Sequence, residues 1–228
     1  LALVRAVQPL RYARSFALRQ AVLHIARPGN QTRVILLAVG LGTFRYFLLR
    51  DVPFGEDGVF SEEALVKRIN ADCANDLGNL VYRTLTMIEK HAGGSIPGGA
   101  PSGQSPAWLR GAVDGVNASL EYSAPDEALK NLWELVSKAN RLVEEKAPWT
   151  LAKQGKTGEL TQFLYELSEM VKVVAVLLWP FMPGTAESIW QQLGFDSTLG
   201  NERIPEVFQT PIPVGQKIRK GKPIFPKR

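Results

Sequence analysis

Apolar residues recur at helical spacing along most of the chain. The run Phe44-Arg45-Tyr46-Phe47-Leu48-Leu49-Arg50 is amphipathic and predicts the end of a helix. Pro53, Gly55 and Gly58 then mark a turn-rich connector. Ser61 followed by Glu62 and Glu63 is a helix start, a serine N-cap with two acids on the positive end of the helix dipole. Leu65, Ile69, Cys73, Leu77, Leu80, Val81 and Ile88 carry that helix to about residue 90. Ala92 to Pro106 holds five glycines and three prolines and reads as a loop with no core-forming content. Trp108, Leu109, Ala112, Val113, Val116 and Leu120 define a second helix over 106–121, and Ser123-Ala124-Pro125-Asp126 is expected to cap a third. The third carries Leu129, Leu132, Trp133, Val136 and Val143 and stops near Pro148. A fourth runs from about 159 to the break at Pro180, and a fifth from Pro183 to Gly194. The pattern predicts an all-α fold, a bundle of about five helices with an irregular N-terminal extension. No internal repeat is visible.

The first forty residues break the pattern. They lack acids, are rich in Arg, Ala, Leu and Val, and show no sustained period. Three readings stand side by side: an organellar transit peptide, a basic RNA-binding arm, and an aberrant stretch produced by a shifted reading frame or a mis-joined gene model. The formal net charge of +5 is distributed accordingly. Residues 1–50 carry eight arginines and no acid, whereas residues 51–214 balance at −9 and residues 215–228 add six basic groups. An overall basic charge would suggest nucleic acid, but the middle of this chain is acidic. Any RNA contact there must use a local patch.

The single cysteine, Cys73, excludes an internal disulfide framework and a Cys-rich zinc site. No apolar run approaches the ~20 residues of a membrane span. His24 and His91 lack acid–base partners at motif spacing, and no phosphate-binding loop or metal-spaced cluster is present, so no catalytic or metal-ligating residue is assigned.

Binding is more legible. At 100° per residue Asn140 falls among Leu129, Trp133 and Val136, inside the apolar stripe of the third helix. A buried amide must find partners or cost about 1–3 kcal/mol. It either ties down a neighbouring segment or orients a recognition site. Asn79 and Arg83 are four residues apart, share a face and border the apolar stripe. An amide beside a guanidinium can address a base edge, although many such pairs are merely solvated. Trp149 follows Pro148 where the third helix must end. It is either a plug for the end of the bundle or a rigid stacking platform, and stacking is worth ~1–3 kcal/mol per base.

Several runs together resemble the methionyl-tRNA synthetase family. They are Phe54-Gly55-Glu56-Asp57-Gly58-Val59-Phe60-Ser61, Arg68 to Leu80 (Arg-Ile-Asn-Ala-Asp-Cys-Ala-Asn-Asp-Leu-Gly-Asn-Leu), Ala139-Asn140-Arg141, Ala147-Pro148-Trp149, Leu178-Trp179-Pro180-Phe181-Met182-Pro183 and Ile189-Trp190-Gln191-Gln192-Leu193-Gly194. The resemblance spans 44–228 and implies an aminoacyl-tRNA ligase whose helical bundle grips the anticodon loop of methionine-acceptor tRNA. By that resemblance Trp149 stacks on an anticodon base, Asn79 and Arg83 read base edges, and Asn140 with Pro148 shapes the site. It further implies a division into an atypical segment (1–43) in place of the end of the catalytic domain, a connector (44–60), the anticodon-binding bundle (61–205) and a basic tail (206–228). The family uses ATP and Mg²⁺ to activate methionine. Its His-Ile-Gly-His and Lys-Met-Ser-Lys-Ser signatures are absent, since His24-Ile25-Ala26-Arg27 departs at its third and fourth positions. The expectation is a catalytically inactive fragment with no cofactor of its own, whose partners are tRNA and a separate catalytic domain. Its setting is the cytoplasm or, if the arginine-rich start is a transit peptide, a mitochondrion or plastid. Two other readings are a helical anticodon domain of another class I synthetase and an acidic helical module that docks proteins.

Overall fold

The computed structural model describes residues 40–51, 61–98 and 106–225. The connector run Phe54 to Phe60 and nearly all of the arginine-rich start lie outside the described residues. The described residues form helices α1 (Leu41–Asp51), α2 (Glu62–Arg68), α3 (Asn79–His91), α4 (Ala107–Glu121), α5 (Pro125–Lys146), α6 (Pro148–Lys153), α7 (Thr157–Leu178) and α8 (Pro183–Gln192). Between α2 and α3 the chain winds as a π-helix, Ile69–Gly78, and single 3₁₀ turns follow α8 at Leu199–Asn201 and Ile204–Glu206.

The first long helix is therefore one rod in three windings. Its start is the one predicted: the Ser61 side chain accepts a hydrogen bond from the Ala64 N–H, with Glu62 and Glu63 in the first turn. Its π interior was not foreseen, because apolar spacing is too coarse to separate a π from an α winding. The third helix begins differently from expectation. Its N-cap is Ala124, with no side-chain cap, while Ser123 sits at φ +56° in the turn before it. The start is instead set by Pro125 at N1, with Asp126 and Glu127 on the dipole.

α7 is the centre of the bundle and packs against α8, α5, α3, α6 and α4. Every residue from Met170 to Leu178 is buried. A helix apolar on all sides belongs in a core rather than at its edge, so α7 is amphipathic only in its first half. One charge lies in that run. Lys172 is 2% exposed, pairs with Glu169 Oε2 at 2.7 Å and donates to the Thr210 carbonyl at 2.6 Å. The Ile212 N–H donates to the other Glu169 oxygen. A buried ion pair thus fastens residues 210–212 to the central helix.

α1 is locked to the first rod by polar contacts under an aromatic lid. Tyr46 donates to Asp72 Oδ2 at 2.5 Å, and its ring lies 4.7 Å from that of Trp133 on α5. Arg68 bridges Asp51 at 2.8 Å and Asp72 at 3.6 Å. Burial, with Asp72 alongside, pushes the Tyr46 hydroxyl far above the usual range.

The glycine-rich segment after α3 corrects one expectation. Ile96, within the stretch read as having no core content, is 1% exposed. It is buried because the C-terminal tail returns to cover it. The Ile96 N–H donates to the Gln216 carbonyl at 2.8 Å, the Gly215 N–H to the Ile96 carbonyl at 2.9 Å and the Ile218 N–H to the Gly94 carbonyl at 3.0 Å. The tail then crosses the end of α8, where the Arg219 N–H meets the Gln192 carbonyl at 2.8 Å. Two of the tail's basic residues are tied down: Arg219 bridges Asp196 and Lys220 bridges Glu89.

Candidate nucleic-acid interface

Of the predicted binding residues, Asn79 and Arg83 come from α3, Asn140 from α5, and Pro148 and Trp149 from α6. Asn79 and Arg83 stand one turn apart on α3, and Asn140 and Glu144 one turn apart on α5. The pairs meet across the gap. Asn140 Nδ2 donates to the Asp76 carbonyl at 3.1 Å, and Arg83 Nη1 reaches Glu144 Oε1 at 2.6 Å. The bond from Asn140 lands in the π-helix, on a carbonyl that also accepts from the Asn79 N–H. Asn140 therefore ties a neighbouring segment, one of the two roles its position in the stripe suggests.

The end of α5 positions the aromatic residue. Ala147 closes α5 at φ +41°, ψ 63°, its own N–H returning to the Val143 carbonyl at 3.1 Å. Its carbonyl accepts from Thr150 at 2.7 Å and so opens α6. A left-handed alanine costs roughly 1–2 kcal/mol, which the caps of two helices offset. Pro148 enters α6 at its first position and is buried, while Trp149 beside it is 41% exposed. The proline, not the tryptophan, plugs the bundle end. The Arg83 guanidinium carbon lies 5.6 Å from the centroid of the Trp149 ring, within cation–π range.

Arg83, Trp149 and Asn140 thus converge with Glu144, which the sequence reading did not single out. Its signal was available in the spacing, because Glu144 repeats from Asn140 the four-residue step of Asn79 to Arg83. Asn79 is exposed on the same edge of α3 and faces a groove that runs toward the tail. Within the π-helix the pKa of the Asp76 carboxyl is held above its ordinary value by burial and by neighbouring Asp72. Burial likewise raises the Cys73 thiol far out of the reactive range, which makes it an inert core group. Among the described residues no group of three or more His, Cys, Asp or Glu side chains could hold a metal ion.

Comparison with known proteins sharpens this picture. Residues 109–227 match the family model described as the anticodon binding domain of methionyl tRNA ligase. This chain belongs to that family. Residues 31–85 match a second methionyl-tRNA ligase family model, that of class I (M) tRNA synthetases. That match begins upstream of the motifs quoted above. Methionine–tRNA ligase from Halalkalibacterium halodurans is 43% identical over 194 residues, 82% of this chain and 29% of the relative. The Bacillus subtilis ligase is 41% identical over 202 residues, again 82% of this chain and 29% of the relative. Among solved structures, Mycobacterium tuberculosis methionyl-tRNA synthetase in its free state superposes with a TM-score of 0.76 at 33% identity, covering 86% of this chain and 40% of that one. The same enzyme in complex with methionyl-adenylate gives 0.77 at 32%, covering 90% and 42%. The methionyl-tRNA ligase fold is therefore present over most of the chain, which spans under a third of the length of the curated relatives it matches. Among the described residues no helix is long and apolar enough to cross a membrane.

Proposed function

We propose that this chain is the anticodon-reading end of a methionine–tRNA ligase. The bundle over 61–205 grips the anticodon loop of methionine-acceptor tRNA, the connector over 44–60 joins it to a catalytic part, and the tail over 206–228 braces it. Trp149 stacks on an unpaired base, Asn79 and Arg83 present donors and acceptors to base edges, and Pro148 and Asn140 hold that platform in place. The activity of the whole ligase, with ATP and Mg²⁺ and in the cytoplasm, belongs to the longer protein. The observation that carries the reading is the convergence of Arg83 and Trp149, 66 positions apart in sequence, on one partly exposed patch with the guanidinium 5.6 Å from the ring. An exposed indole beside a cation is a suitable seat for a splayed base.

The test is fluorescence anisotropy with labelled methionine-acceptor tRNA. Trp149→Ala weakens binding by about tenfold or more, the loss of one stacked base, while the helical circular dichroism persists. Equal affinity of the unaltered chain for a tRNA with an unrelated anticodon refutes the proposal.

A further inference from the structure

A second feature adjoins Asn79 on the side away from Trp149's helix. A groove of about 440 Å³ runs between the first rod and the returning tail. Asn75, Asn79 and Tyr82 form one wall, Pro223 and Phe225 the other. Gly78 forms the floor between the walls: a Cβ there would crowd the Cys73 carbonyl oxygen at 3.0 Å and would make an ordinary contact, 3.6 Å, with the Phe225 ring. Neither Asn75 nor Asn79 is buried, and Tyr82 is 44% exposed. The tyrosine is nonetheless held in place, because Lys220 Nζ lies 5.0 Å from its ring centroid and is anchored at 2.6 Å on Glu89.

From this we infer that the groove binds a second unpaired nucleotide of the same RNA loop, with Tyr82 as its stacking surface. The inference rests on the anticodon reading proposed above. Four observations select a nucleotide. The volume lies within the ~300–1,000 Å³ typical of small-ligand pockets. Two amides a turn apart offer paired donors and acceptors suited to a base edge. An exposed aromatic ring and a proline supply flat apolar faces, as single-strand binders use. No acidic side chain lines the groove, while the exposed Lys222, next to Pro223 on the tail, provides a cation for a phosphate. Around α3, Asn79 then stands between Tyr82 and Arg83, the residue whose guanidinium faces Trp149. A loop splayed over both would be read on each side of that amide. The tail is on this account part of the binding surface.

The test titrates the 228-residue chain with a labelled anticodon stem-loop of methionine-acceptor tRNA, and with loops made abasic at each unpaired position in turn. Tyr82→Ala is expected to weaken binding of the intact loop by about tenfold, and Tyr82→Phe to stay within about twofold. The Tyr82→Ala defect should vanish on one abasic loop, at a different position from the loop that absorbs the Trp149→Ala defect. Unchanged binding by Tyr82→Ala alongside weakened binding by Trp149→Ala overturns the second pocket and leaves the anticodon reading standing. A Tyr82→Ala defect equal on every loop, or absorbed at the Trp149 position, also overturns it, since the ring then supports structure or the first site. Loss of preference between cognate and unrelated loops in the unaltered chain refutes the anticodon reading itself, and the inference with it.

Discussion

Replacing Lys172 by methionine removes the charge buried in the middle of the central helix while keeping its apolar stem. In the folded chain Lys172 Nζ contacts Glu169 Oε2 at 2.7 Å and the Thr210 carbonyl at 2.6 Å. Breaking a buried ion pair from one side costs roughly 3–5 kcal/mol, because the surviving charge is left without its partner. Here the survivor is not wholly stranded. The Glu169 side chain is 19% exposed, accepts from the Ile212 N–H and is hydrogen-bonded by Tyr165. Thr210 is exposed, so water can satisfy its carbonyl. These donors bring the expected loss to the bottom of that range or just under it, about 2–3 kcal/mol. Adding Glu169→Gln neutralises the remaining charge yet keeps an oxygen for Ile212, and should return stability to within about 1 kcal/mol of the unaltered chain. The assay is urea unfolding of the two single variants and the double, read by far-ultraviolet circular dichroism. Hydrogen exchange at the Ile218 amide, which donates to Gly94, should quicken in Lys172→Met because the 210–212 anchor has slackened. A single-variant loss below about 1 kcal/mol, or a double variant no more stable than Lys172→Met, refutes the reasoning.

Two further outcomes follow from local geometry. Tyr46 is fully buried, and burial beside Asp72 raises its hydroxyl pKa far above that of a free tyrosine. The unfolded chain therefore releases that proton near pH 10 while the folded chain keeps it, so stability falls as pH rises above ~10. Tyr46→Phe should be less stable near neutral pH by about 1.5–3 kcal/mol, the cost of a hydrogen bond to a charged group. It should also show a shallower alkaline decline in urea midpoint, with Tyr165, raised in the same direction, accounting for part of what remains. Gly194 sits at φ +97°, and a Cβ there would lie 2.1 Å from the Lys217 carbonyl oxygen. Gly194→Ala should cost more than about 2 kcal/mol, from left-handed strain and displacement of the tail. Gly184→Ala on α8, with nothing within 4 Å of its Cβ, should be neutral or stabilising by up to about 1 kcal/mol in thermal unfolding.

Local chemistry made most of the helices legible. Ser61 with Glu62 and Glu63, and Pro183 with Gly194, rest on residues within one turn of the start or stop they set, and those boundaries fell close to where the residues put them; Ser123-Ala124-Pro125-Asp126 located the third helix's start but not its capping chemistry. α6 was missed because Pro148, a stop for α5, is also an allowed first residue of the next helix. The π-helix was missed because Cys73 and Leu77 fit the apolar spacing of either winding. Lys172 was passed over because, although Glu169 lies one turn away, nothing local shows that the pair is buried against Thr210, 38 residues on.

The candidate site divides in the same way. The sequence alone determined that Asn79 and Arg83 share a face, that Asn140 is a polar residue in an apolar stripe, and that Trp149 follows a helix end. Those facts depend on helical geometry, which is local. Only the tertiary structure decided that Arg83 meets Glu144 and Trp149, that Asn140 serves the π-helix, that Ile96 is core, and that the tail walls a groove beside Asn79. Each of those pairings joins residues tens of positions apart. Their partners are chosen by how whole helices pack, and no short window of sequence carries that information.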